Sequence, residues 1–136
     1  MKPILTFLLI FTLWPVSIGK ANAPEITETI RTSLRGGQAH ELALCFDRQI
    51  ELVIDAETVD FPVVRAEQAE QILKTFFKKY PPRHFQYVYQ GSTSRMRYST
   101  GTYQSNGQTF SVYVLMRQSV RQPGGYVVNT LHLRKA

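Results

Sequence analysis

The stretch Arg65–Gly91, RAEQAEQILKTFFKKYPPRHFQYVYQG, decides the architecture of this chain. Ala69, Ile72, Leu73, Phe76, Phe77 and Tyr80 recur at i, i+3, i+4, i+7, i+8 and i+11, which puts them on one apolar face at the helical period. Glu67 and Glu70 stand in the first turns, and Lys74, Lys78 and Lys79 in the later ones. That order matches the positive N-terminal and negative C-terminal ends of a helix dipole, and Glu70 sits four residues ahead of Lys74 in the favourable sense. Pro81-Pro82 stops the helix, because the residue before a proline is pushed out of the α region. No Ser, Thr, Asp or Asn directly precedes the helix, only Val63-Val64 and Arg65, so its start lacks a side-chain cap. Beyond the prolines, His84 to Gln90 alternates as a strand and is expected to place Phe85, Tyr87 and Tyr89 on one face.

Working outward, the C-terminal half reads as further strands. Met96–Gln104 is rich in Thr and Tyr, and Ser105-Asn106-Gly107-Gln108 is a strong hairpin turn signal. Thr109–Gln118 carries Phe110, Val112, Val114 and Met116 on one face and Tyr113 and Leu115 on the other, the pattern of a central strand. Gln122-Pro123-Gly124-Gly125 marks another turn before Tyr126–Leu133. Upstream, Pro24–Leu34 reads as a helix with Ile26, Ile30 and Leu34 in a stripe, ended by Gly36-Gly37. A short helix over about Ala39–Phe46 carries Leu42, Cys45 and Phe46 on one side. Ile50–Ile54 is a strand, and Thr58–Val64 a second one that Pro62 confines to an edge. Helices segregated on one face of an antiparallel sheet make an α+β fold, with the long helix packed in a sheet curved around it as a cone.

Composition bounds what such a domain does. The 136 residues suit one domain, here 22–136, preceded by a signal peptide over 1–21. Met1-Lys2 supplies a positive start, Ile4–Ile18 an uncharged apolar run, and Ala21-Asn22-Ala23 a small-x-small cleavage pattern, with the cut falling between 19 and 23. The run is shorter than the roughly 20 residues that cross a bilayer. An exported protein in a periplasm or outside the cell follows. Leu42-Ala43-Leu44-Cys45 lies too far downstream for a lipoprotein box, so no membrane anchor is expected. Cys45 is the single cysteine, which excludes an intramolecular disulfide and a Cys-based zinc site.

The net charge is +6, but all ten acids lie at or before Glu70, and ten basic residues with no acid follow from Gln71 onward. In an exported chain this points to an acidic partner or a basic sheet face rather than to nucleic acid.

The element order resembles the nuclear transport factor 2-like (cystatin-like) superfamily, a long helix lying in a curved antiparallel sheet. Phe46-Asp47 leading into Ile50-Glu51-Leu52, then Gln68–Phe77, Phe85, Gln90-Gly91-Ser92, Tyr98–Gly101 and Asn106-Gly107, are similar to a family of small exported bacterial proteins called domain of unknown function 4783. The likeness covers essentially the whole mature chain. It implies a fold and no activity, since that family carries no assigned one. The chain departs from the pattern at Tyr89, where a histidine often precedes the Gln-Gly pair. The superfamily includes ketosteroid isomerase-like enzymes with a carboxylate base in the cone.

The last four strands here hold no Asp or Glu, so a base would come from Asp47, Glu51, Asp55, Glu57 or Asp60; Glu51 and Asp55 are the pair that an inward-facing arrangement would use, and the simpler reading makes them solvated polar positions around a short strand. His40, His84 and His132 lack metal-ligand spacing, and the glycine pairs lack the pattern of a phosphate loop. No catalytic residue, metal or cofactor is therefore assigned. The strand tyrosines interleaved with arginine are the suggestive feature. A tyrosine offers a flat apolar ring with a polar tip, and an arginine grips a carboxylate or phosphate. Tyr87, Tyr89, Arg97, Tyr98 and Tyr113 are the expected lining of a cone pocket or sheet face. That surface would hold a small molecule, a partner chain or a second copy of the protein, with an isomerase-like or hydrolase-like enzyme as the alternative.

Overall fold

In the computed structural model, which describes residues 25–120 and 125–136, the elements run α1 (Ile26–Gly36), α2 (Ala39–Ala43), β1 (Phe46–Ile54), a single 3-10 turn (Asp55–Glu57), β2 (Val59–Arg65), α3 (Ala66–Lys79), β3 (His84–Ser92), β4 (Met96–Ser105), β5 (Gln108–Gln118) and β6 (Tyr126–Lys135). The signal-peptide expectation and all but the last residue of the Gln122–Gly125 turn lie outside the described residues.

The helix boundaries follow local chemistry. Glu25 caps α1 by accepting from the Thr27 N–H and hydroxyl, and Gly37 closes it in the left-handed region at φ 63°, where a β-carbon would be strained. The start of α3 has no side-chain cap, as its sequence implies, and its end at Tyr80 precedes Pro81-Pro82. The short helix α2 ends at Ala43 rather than running to Phe46. Phe46 instead opens β1 and stays buried by pairing with Val128 of β6.

The six strands form one sheet in the order β2-β1-β6-β5-β4-β3. β3 through β6 are antiparallel neighbours, and Asn106-Gly107 makes the tight β4–β5 turn. The β1–β6 pair is parallel, a feature the sequence pattern does not carry, because the two strands lie about eighty residues apart and meet only through the core. β2 is an edge strand with Val64 as its one buried residue.

The inner face of every strand feeds one core. Ile50, Leu52, Ile54, Val64, Phe85, Tyr103, Phe110, Val112, Val114, Met116, Val128, Leu131 and Leu133 join Ile30 and Leu34 of α1 and Ala69, Leu73, Phe76 and Phe77 of α3. Phe76 is central to this packing, with the Phe110 ring at 5.1 Å, Tyr80 at 5.3 Å and Tyr103 at 5.6 Å between centroids. Such offset and edge-on contacts add about 0.5–1.5 kcal/mol per pair beyond area burial. The Tyr103 hydroxyl, buried among them, donates to the carbonyl of Tyr80, which satisfies both groups. The throat of the cone is thereby filled by the protein's own aromatic side chains.

Candidate functional site

The five expected site residues divide between two faces, and a bulge in β3 decides the side of Tyr89. Phe85 and Tyr87 pair with Tyr103 and Gly101, but Tyr89 pairs with Thr100, so Val88 is an extra residue in the ladder. One inserted residue shifts the two-residue side-chain alternation by one. Tyr89 therefore turns to the outer face, against the expectation that it shares a face with Phe85 and Tyr87.

On that outer face it meets others. The rings of Tyr89 and Tyr98 stand 5.8 Å apart, and those of Tyr113 and His132 5.6 Å apart. The Tyr89 hydroxyl beside it raises the Tyr98 phenol above its ordinary value, with a smaller contribution from Tyr113. His132 Nε2 lies 3.0 Å from Glu51 Oε2. One side chain from each of β3, β4, β5, β6 and β1 thus forms a row across the sheet. Tyr98, Tyr113 and His132 are half-buried, Tyr89 is 56% exposed, and none of the four belongs to the core cluster. Thr100, Thr102 and Leu115 fill the spaces around them, and no described helix lies on this side.

Gly91 shapes the row. A β-carbon there would lie 2.7 Å from Cζ and the hydroxyl oxygen of Tyr98, so the absence of a side chain lets the Tyr98 ring lie flat over β3. Gly101 does the same on the inner face for Phe85, whose ring atoms would be 2.7 and 2.8 Å from a β-carbon.

The other two expected residues lie inside. Tyr87 is half-buried, donates its hydroxyl to the carbonyl of Thr27 at 2.7 Å, and is pushed up in pKa by burial. Arg97 pairs with Met116 and Ser92 on the inner face, lies 4.9 Å from the centre of the Tyr126 ring, and forms an ion pair with Glu25 at 2.7 Å. Together with the Arg35 bond to the carbonyl of Phe85, these contacts fasten α1 over the inner side of β3 and β4. Burial raises the Glu25 carboxyl, but the bonds from Thr27 and the Arg97 charge outweigh it and hold the group below its ordinary value of 4.5.

Neither Glu51 nor Asp55 faces the cone, so the enzyme alternative finds no base in them. Glu51 pairs with Thr130 on the outer face, and Asp55 is exposed and accepts the Lys135 N–H at 2.9 Å. The alternation of β1 accounts for Glu51, since Ile50 and Leu52 take the core positions beside it. A carboxylate base in the cone is therefore not built from either residue. Each histidine has a different partner: His40 meets Glu70, His84 meets Gln86 and His132 meets Glu51. Among the described residues no group of three or more His, Cys, Asp or Glu converges. Cys45 is half-buried, and burial, helped by Glu41, pushes its thiol up to about 11. Glu25 carries no site signal in the sequence beyond its place at the start of α1, and the partners of His132 and Tyr126 are not legible there either. The Thr130-x-His132 alternation places His132 beside Tyr113, but only the strand order shows it.

A helix-lined curved sheet of this order defines a nuclear transport factor 2-like, or cystatin-like, α+β domain. Residues 27–133 match the family model Domain of unknown function (DUF4783), and the chain belongs to that family. A DUF4783 family protein from Bacteroides uniformis is 19% identical, with TM-score 0.71 over 85% of this chain and 98% of its own. One from Bacteroides fragilis is also 19% identical at TM-score 0.71, over 85% of this chain and 100% of its own. A more distant likeness is an NTF-2 like protein of unknown function from Silicibacter pomeroyi, 10% identical at TM-score 0.61 over 82% of this chain and 90% of its own. No curated protein matches the sequence.

Proposed function

We propose that this protein is an exported, non-catalytic binding domain whose outer sheet face engages another protein chain, a second copy of itself being the occupant that the tyrosine row fits. The row of Tyr89, Tyr98, Tyr113 and His132 across four adjacent strands carries the reading. Tyrosine is enriched at interface cores because it buries a rigid apolar ring and keeps a hydroxyl for pairing. Six strands at about 4.8 Å spacing and about nine residues at 3.4 Å give a face of about 24 by 30 Å, or about 700 Å². That is close to the roughly 800 Å² each partner contributes to a stable interface.

The export part rests on the Met1-Lys2 start, the Ile4–Ile18 run and the Ala21-Asn22-Ala23 cleavage pattern.

Sedimentation of the mature chain over a hundred-fold concentration range tests the reading. A doubled mass is expected at high concentration, and it should fall to the monomer in Tyr98→Ser/Tyr113→Ser at unchanged circular dichroism. A concentration-independent monomer in the unmodified chain would remove the self-association.

A further inference from the structure

On the inner side of the sheet, at the end of β3 and β4, the rim of the cone holds a second constellation. Arg97 is only 26% exposed, with its guanidinium over the Tyr126 ring at 4.9 Å. An arginine stacked on an aromatic face is held flat, and its edge donors stay free to meet a planar anion. Here they meet the chain's own Glu25. Both contacts, 2.7 Å to Oε2 and 3.2 Å to Oε1, come from one nitrogen, Nη2. The side-by-side pairing of two nitrogens with two oxygens, the stronger arrangement for this pair of groups, is not formed.

Beside Arg97, at the end of the β3–β4 pair, lies an open recess of about 180 Å³, lined also by Thr27, Gln90, Gly91, Ser92, Tyr98 and Ser99. Gln90 Nε2 donates to Ser99 Oγ at a long 3.4 Å, a bond weak enough to exchange for a ligand's.

Glu25 is well placed to leave. Its side chain is 49% exposed, and the first fully buried residue of α1 is Ile30, a full turn further on. Its departure frees the Thr27 N–H and hydroxyl to water at the exposed end of the helix and unpacks nothing from the core.

We propose that Arg97 on Tyr126 is a binding site for a small organic carboxylate, and that Glu25 occupies it in the absence of that ligand. The carboxylate forms the two-nitrogen pair that the tethered Glu25 does not, and the body of the ligand displaces water from the recess beside Gln90, Ser92 and Ser99. Glu25 then acts as an internal competitor, and its side chain alone swings away while Ile26 and the Thr27 carbonyl keep their contacts.

The test is a titration of the nitrogen-15-labelled mature chain with sodium benzoate, with benzyl alcohol as the uncharged control. Saturable shifts are expected at the Arg97 Nε and at the amides of Gln90, Ser99 and Thr27, with none from the alcohol. Glu25→Gln keeps an oxygen for the helix cap but removes the competing charge. It should bind benzoate about two- to five-fold more tightly, the factor that corresponds to an exposed ion pair. Arg97→Gln should abolish the shifts. Where that variant does not fold, Arg97→Lys, which keeps the charge but lacks the fork, should bind several-fold more weakly. Equal affinity in Glu25→Gln and the unmodified chain, no saturable shift in Glu25→Gln, shifts that persist in Arg97→Gln, or undiminished affinity in Arg97→Lys each overturns the proposal.

Discussion

Gly101→Ala probes how tightly the inner face is closed. The new β-carbon would lie 2.7 Å from the backbone oxygen of Gln86 and 2.7 Å from the Phe85 ring. Ordinary contact begins near 3.4 Å, so something must move by about 0.7 Å. Neither neighbour gives easily. Gln86 is held in the β3–β4 ladder opposite Thr102, and Phe85 is wholly buried, with the Tyr87 ring 5.2 Å away. Overpacking of this kind costs about 1–3 kcal/mol. Removing a glycine returns about 0.4–1 kcal/mol by restricting the unfolded chain. The midpoints of the two ranges leave a net loss of about 1.3 kcal/mol, or roughly 5 °C in Tm for a domain of this size.

Urea unfolding followed by circular dichroism reads the loss directly as a lower midpoint at constant slope. Gly91→Ala is the matched control, since its β-carbon meets only the outer end of the half-buried Tyr98 ring, which can swing into solvent. Its stability should change by less than about 0.5 kcal/mol, while self-association weakens because Tyr98 leaves the row. If Gly101→Ala is as stable as the unmodified chain, the account of a closed inner face is wrong.

Two further outcomes follow from the titrating groups. The Glu25 carboxyl has a folded-state pKa below its ordinary 4.5, so between the two values the unfolded chain binds more protons than the folded one. The stability it contributes is present above pH 4.5 and lost as pH falls through the lowered value; Glu25→Gln should flatten that acid limb of a Tm-versus-pH profile, and an unchanged limb would refute the assignment. Cys45, pushed up to about 11 from an ordinary 9.0, carries about a hundred-fold less thiolate near pH 8 than a free thiol. Its alkylation by iodoacetamide in the folded chain should be slower than in urea by about that factor, and equal rates would contradict its burial.

Much of the architecture is legible in the residues. The apolar face from Ala69 to Tyr80, the Pro81-Pro82 stop and the Asn106-Gly107 turn are local signals, each acting within a few residues of itself, and the structure keeps them all. The inner set Phe110, Val112, Val114 and Met116 is legible for the same reason, because strict alternation in an unbulged stretch fixes the face. The errors share one physical origin. Alternation carried through Val88 predicts Tyr89 on the face of Phe85 and Tyr87, and the bulge that turns it away is a property of the β3–β4 pairing rather than of β3 alone. Phe46 fits the end of a short helix by sequence because a buried aromatic suits either element. Its pairing with Val128, far along the chain, makes it a strand residue.

The charge asymmetry shows the same division. The sequence by itself separates ten acids from the basic C-terminal half, with Glu70 as the last acid. Only the fold turns that separation into contacts: Glu25 with Arg97, Glu57 with Lys79 and Glu51 with His132 each join the first half to the second.

What the sequence determined alone was the α+β class, the amphipathic helix at its centre and most of the core, because hydrophobic periodicity and turn chemistry act over short chain distances. The tertiary structure decided which side chains stand together. The parallel β1–β6 pair and the Val88 bulge put Tyr89, Tyr98, Tyr113 and His132 in one row outside and left Arg97 with Glu25 at the rim inside. Strand order and register arise from contacts across the whole chain, and a surface assembled from five strands exists only once those contacts have formed.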